Sequence, residues 1–156
     1  MLIQKLELPL FVVVCCCFFV NDANTASCRN FGNEAKAAIG GHVAALRAHE
    51  REASDRLKGL DSRPFEFLLG EARKTATIIA DPAALKLEEG LEQCRNEIRP
   101  VRRICAEAAH ALVEVLEKYA TTPTPDVDKP RFADTMEECE KLMGLKPLKS
   151  IIRGTD

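Results

Sequence analysis

Apolar residues recur at helical spacing in four stretches of this chain, and almost nowhere at the alternating spacing of a strand. The first runs from about Phe31 to Leu60, where Ile39, Val43, Leu46, Ala53, Leu57 and Leu60 are separated by three, four or seven positions, which puts them on one face of a helix. Gly40-Gly41 lies inside it. Each glycine weakens a helix interior by about 1 kcal/mol relative to alanine, so the pair predicts a bend or break. A second helix, about Pro64 to Ala80, carries Phe65, Leu68, Leu69, Ala72, Ala76 and Ile79 on one side, with Asp61 or Ser62 as its cap and Pro64 in its permissive first turn.

Asp81-Pro82 predicts the start of a third helix. In it Leu87, Leu91, Cys94, Ile98, Val101, Cys105, Ala108, Leu112, Val115 and Tyr119 form a long seam with spacings of four and three. Pro100 lacks a backbone donor and clashes with the preceding turn, which predicts a kink or a join there. Thr121 to Pro130 holds Pro123, Pro125 and Pro130 and no apolar period, the composition of an extended linker. A short last helix, about Arg131 to Gly144, aligns Phe132, Met136, Cys139 and Met143, with Gly144 and Pro147 to end it. The tail from Leu148 to Asp156 has no period that places it. The reading is an all-α protein, a small bundle of about four helices whose third is the longest and is kinked near Pro100.

The N-terminus adds an export signal. Lys5 precedes an apolar run from Leu8 to Val20; at about 1.5 Å per residue the run is too short for a hydrocarbon core of roughly 30 Å. Ala23-Asn24-Thr25-Ala26-Ser27 follows, small residues of the kind at which a leader is removed after Ala26. The expected organisation is therefore a signal peptide over 1–26, a core of three helices over 27–120, a Pro-rich linker over 121–130, and a C-terminal helix and tail over 131–156 that pack on the same domain. No transmembrane anchor is expected after processing, and the location is extracytoplasmic, secreted or periplasmic.

Composition narrows the class of function. The chain has 156 residues with no Trp and one Tyr, so its core is built from aliphatic residues and alanine, which suits close-packed helices. Removing Lys5, Glu7 and Asp22 with the leader leaves 21 basic and 22 acidic residues. A near-neutral protein lacks the cationic excess on which general nucleic-acid binding rests.

Processing also leaves four cysteines, Cys28, Cys94, Cys105 and Cys139, an even number in an oxidising compartment and hence two disulfides. Cys94 and Cys105 stand about 16 Å apart along a continuous helix, too far to bond each other. A fourth helix turning back on the third brings Cys139 toward Cys105. That leaves Cys28 for Cys94, a pairing that a simple up-down arrangement disfavours unless Gly40-Gly41 folds residues 28 to 39 back over the bundle. Alternatively, Thr25-Ala26-Ser27-Cys28 partly resembles a bacterial lipobox, with Thr25 where a bulky aliphatic residue is usual, and Cys28 would then carry a lipid.

Catalytic patterns are missing. The four serines of the mature chain, Ser27, Ser54, Ser62 and Ser150, stand in no Gly-x-Ser-x-Gly turn, and there is no glycine-rich phosphate loop. His49-Glu50 opens like a zinc-protease helix, but Ala53 occupies the place of the second histidine. His42 and His49 share a helix face about 10 Å apart; with His110 and a carboxylate such as Glu50 or Glu114 they are a candidate metal set in a bundle core, set against the simpler reading of solvated histidines. Arg95, Arg99, Arg102 and Arg103 line one flank of the third helix, a candidate surface for an anionic partner or a solvated face paired with Glu88, Glu92 and Glu107. The sequence thus points to a non-catalytic interaction or structural module with no cofactor, whose partner is another protein or an envelope component; a homodimer is open. The alternative is a periplasmic or extracellular bundle that binds a small ligand or a metal.

Overall fold

The computed structural model describes residues 11–81, 92–122 and 129–152. They form four helices and, among the described residues, no strand: α1 (Phe11–Leu57), α2 (Phe65–Ala80), α3 (Glu92–Thr121) and α4 (Lys129–Leu142). The fold is a small all-α bundle in which α3 packs against each of the other three helices. No described helix is long and apolar enough to cross a membrane.

The apolar stripes are where the periodicity puts them. Ile39, Val43, Leu46 and Ala53 of α1, Leu68, Leu69, Ala72, Ala76 and Ile79 of α2, the α3 seam from Cys94 to Val115, and Phe132, Met136 and Cys139 of α4 are all buried. Alanines at 35, 53, 72, 76, 108, 109, 111 and 133 are buried among them, and their small side chains let the helix backbones approach closely.

Three local expectations are corrected. Gly40-Gly41 does not break α1, which runs over 47 residues against the 30 described for α3. Ile39 and Val43, buried on either side, hold the turn in register, and tertiary packing outweighs the glycine propensity. Leu60 is exposed instead of lying on the seam, because α1 ends sooner: Gly59 adopts φ +72°, its N–H bonds to the Arg56 carbonyl and that of Leu60 to Asp55, a Schellman termination. Asp61 does not cap α2, whose N-cap is Pro64; its carboxylate instead accepts from the Arg63 backbone N–H at 2.8 Å and from the Arg63 guanidinium.

Helix α3 continues through Pro100, whose ring is exposed. Asp81 is the C-cap of α2; the expected helix beginning at Pro82, with Leu87 and Leu91, and much of the Thr121 to Pro130 linker lie outside the described residues. Helix α4 ends as expected at Gly144, φ +74°, with the same pair of carbonyl contacts seen at Gly59.

Two disulfides brace the bundle. Cys28 bonds Cys94, joining α1 to the beginning of α3, and Cys105 bonds Cys139, joining α3 to α4. The first forms without the fold-back at Gly40-Gly41 that the short α2 suggested. Helices α1 and α3 run parallel, with Gly32 beside Ile98 one turn beyond the Cys28–Cys94 bond. The bonds close loops spanning 66 and 34 residues, each worth about 4 kcal/mol of unfolded-state entropy.

Candidate functional site: a buried carboxylate pair holding the C-terminal tail

Glu50 occupies a position on the apolar stripe of α1, one turn beyond Leu46, and Glu140 follows the disulfide-bonded Cys139 on α4. Their side chains are 1% and 4% exposed. Burying an ionised carboxylate costs several kcal/mol unless its charge and lone pairs are met. Arg47, three residues before Glu50 and so on the same side of α1, meets part of this demand. Its Nε and Nη2 donate to the two oxygens of Glu140 at 2.8 and 2.7 Å, a bidentate pairing, while Nη1 donates to Glu50 Oε2 at 2.7 Å. Burial works against the Arg47 charge, and the bonds and field of Glu140 and Glu50 more than offset it, holding the guanidinium above its ordinary pKa.

Two carboxylates around one guanidinium leave one negative charge uncompensated, and the C-terminal tail supplies the remaining donors. Ser150 Oγ and the Ile151 N–H donate to Glu50 Oε1 at 2.6 and 2.7 Å, with the Ile152 N–H at 3.4 Å. The Leu148 N–H donates to Glu140 Oε2 at 2.9 Å, and its carbonyl accepts from Arg47 Nη2 at 2.8 Å. The Ile152 side chain then enters the core fully buried. The cluster thus bonds to the tail backbone and fixes its path over residues 148 to 152.

The residues singled out in the sequence fare differently. His49 is half-buried between α1 and α2, with Nε2 3.2 Å from Thr75 Oγ1 and Nδ1 3.4 Å from Glu52. The order acid, histidine, hydroxyl resembles a catalytic triad, but the Thr75 hydroxyl is buried and directs its proton to the Glu71 carbonyl. It is a helix–helix contact. His42 is half-buried on α1, and His110 is exposed on α3. The carboxylates that would complete a metal set with them are engaged elsewhere, Glu50 with the tail and Glu114 with Arg131 at 2.6 Å. Among the described residues no three His, Cys, Asp or Glu are grouped to hold a metal ion.

On the α3 flank, Arg99 is exposed. Arg102 reaches across to the Ala80 carbonyl at the end of α2, 3.1 Å away, where a cation meets the negative end of the helix dipole, and Arg103 pairs with Glu107 at 2.9 Å. Arg95 belongs to α3, but its side chain lies outside the described residues. A surface hollow lined by Ala111, Glu114, Val115, Lys118 and Arg131 has a volume of about 20 Å³, room for about one water molecule.

The Arg47–Glu50–Glu140 cluster is the feature that the sequence reading missed. One signal was present: Glu50 interrupts an apolar series at its proper spacing, and a charge on a core stripe marks a buried pair. Compared with known proteins, the chain matches no family model, no curated protein and no solved structure.

Proposed function

We propose that this is an exported, non-catalytic interaction module, a disulfide-braced helical frame that presents one fixed surface to an envelope or extracellular component. The observation that carries this reading is the use of the buried ionic cluster. Arg47, Glu50 and Glu140 are engaged in holding residues 148 to 152 against the bundle, and that clamp leaves Leu145, Leu148 and Ile151 exposed on its outer side. Three of the five large apolar side chains that stand exposed among the described residues fall within the seven positions from Leu145 to Ile151, and an apolar patch rimmed by polar residues is the mark of an interaction surface. The leader-like N-terminus and the two disulfides support an oxidising location outside the cytoplasm.

The test has two arms. Expression with the full N-terminus in a secreting host should give an exported protein whose mass begins near Ser27 and whose four cysteines resist alkylation. A photo-crosslinking residue at position 148 should then form adducts in the producing cells, whereas one at Lys74, exposed on α2, should not. Retention of residues 1–26 in the cytoplasm, or equal labelling at both positions, would overturn the reading.

A further inference from the structure

The exposed side of the clamped tail has a definite chemistry. Leu145, Leu148 and Ile151 are 47%, 57% and 40% exposed, spaced three apart along a segment pinned by backbone bonds to Glu50, Glu140 and Arg47. Lys146 and Lys149 alternate with them and are exposed too, and no acidic residue occurs between Leu145 and Ile152. Protein-binding hot spots are dominated by Trp, Tyr and Arg, and interface centres are depleted of Lys. This surface holds none of the first three, only aliphatic side chains and lysines. Aliphatic groups beside lysine ammonium groups are what an anionic bilayer surface accepts: the apolar chains enter the headgroup boundary and the cations meet phosphates. The mature chain as a whole is close to neutral and the Arg47–Glu50–Glu140 cluster beneath the tail carries one net negative charge, so the attraction rests on Lys146 and Lys149 at the exposed face, and charges more than about 10 Å away contribute little.

We propose that residues 145–151 form a docking surface for an anionic lipid bilayer, with Leu145, Leu148 and Ile151 inserting at the interface and Lys146 and Lys149 contacting lipid phosphates. The proposal rests on the interaction-module reading and names the partner. The clamp matters because an ordered tail presents its side chains already in place and has less entropy to lose on binding.

The experiment is flotation of the oxidised mature protein with vesicles of phosphatidylglycerol mixed with phosphatidylcholine, against vesicles of phosphatidylcholine alone. The wild type should float with the first, float poorly with the second, and lose binding as salt is raised. Lys146→Glu with Lys149→Glu should weaken binding by more than about thirtyfold, at roughly a factor of five for each lysine lost and a further loss for each negative charge that replaces it. Leu148→Ser with Ile151→Ser should weaken it at least tenfold, and Leu145→Ser alone, outside the clamp, should do so to a smaller degree. Helicity and intact disulfides confirm that each variant is folded. Failure to float with either vesicle, equal flotation with both, or binding that the tail substitutions leave unchanged overturns the proposal. If flotation fails while position 148 still crosslinks to protein in cells, the lipid assignment falls and the interaction module stands; if both fail, both fall.

Discussion

Glu50, on the first helix, accepts a 2.7 Å hydrogen bond from the backbone of Ile151, 101 residues further along the chain. The same oxygen takes the Ser150 hydroxyl, so one carboxylate at a core position fixes the path of the C-terminal tail. Replacing it as Glu50→Ala removes these acceptors and leaves Arg47 with Glu140 alone. Breaking a buried ionic network of this kind costs about 3 kcal/mol. Urea unfolding should show that loss, and hydrogen exchange at Ile151 and Ile152 should accelerate more than exchange in α2. If the tail amides stay as protected as in the wild type, Glu50 does not hold the tail.

Arg47 should matter at least as much. Arg47→Ala strands two buried carboxylates, and the expected destabilisation is about 3–5 kcal/mol. Arg47→Lys keeps the charge but cannot form the bidentate pairing with Glu140 while also reaching Glu50 and the Leu148 carbonyl, so it should recover only part of the loss. Full rescue by lysine in urea unfolding would mean that charge alone, and not the fork geometry, is what the cluster requires.

The tail contributes through packing as well as polarity. Ile152 is fully buried within the core, and Ile152→Ala should cost about 2–4 kcal/mol through lost transfer energy and the cavity left behind. Ile151→Ala, at a side chain facing solvent, should change stability by no more than about 0.5 kcal/mol. Thermal unfolding of the two variants separates them. Equal effects would contradict the register that the clamp imposes.

What the sequence made legible follows from how far apart the interacting residues are. The faces of α2, α3 and α4 depend on contacts repeated every three or four residues, and their stripes could be read directly. The Cys105–Cys139 pair is legible because both cysteines sit on such stripes, and Cys28–Cys94 follows by elimination; its route through an unbroken α1 is not, because local propensity at Gly40-Gly41 argues for a break and the packing that prevents it is not displayed in the sequence. The tail could not be read at all. Its order comes from Glu50 and Glu140, and residues 148 to 152 carry no period of their own. Glu50 at a stripe position was the one visible trace of that arrangement, and its partners lie on another helix and at the far end of the chain.

Reduction tests the bracing. Each disulfide constrains the unfolded chain by about 4 kcal/mol in the loop-entropy account, so Cys105→Ala with Cys139→Ala, or Cys28→Ala with Cys94→Ala, should lower the urea midpoint markedly. The Cys28 pair closes the longer loop and should cost slightly more. Reducing the wild type should approach the sum of the two losses. A reduced protein as stable as the oxidised one would remove the argument that the bundle depends on an oxidising compartment.

Acid should weaken the fold through surface carboxylates whose partners are now identified. The hydrogen bond from the Arg63 side chain, aided by that from its backbone, holds Asp61 below the ordinary 3.8. Lys74, through its hydrogen bond and then its charge, holds Glu71 below 4.5. A carboxyl with a lower pKa in the folded state binds protons more readily when unfolded, so its contribution is complete above the unfolded value and is lost as pH falls through the folded one. Stability should therefore be flat for these groups above about pH 5 and decline below it. Asp61→Asn should flatten part of that decline while leaving the neutral-pH circular dichroism unchanged. Denaturation midpoints measured from neutral pH down to about pH 3 read the difference, and a variant whose acid profile overlays that of the wild type would show that the Asp61–Arg63 pair contributes nothing in solution.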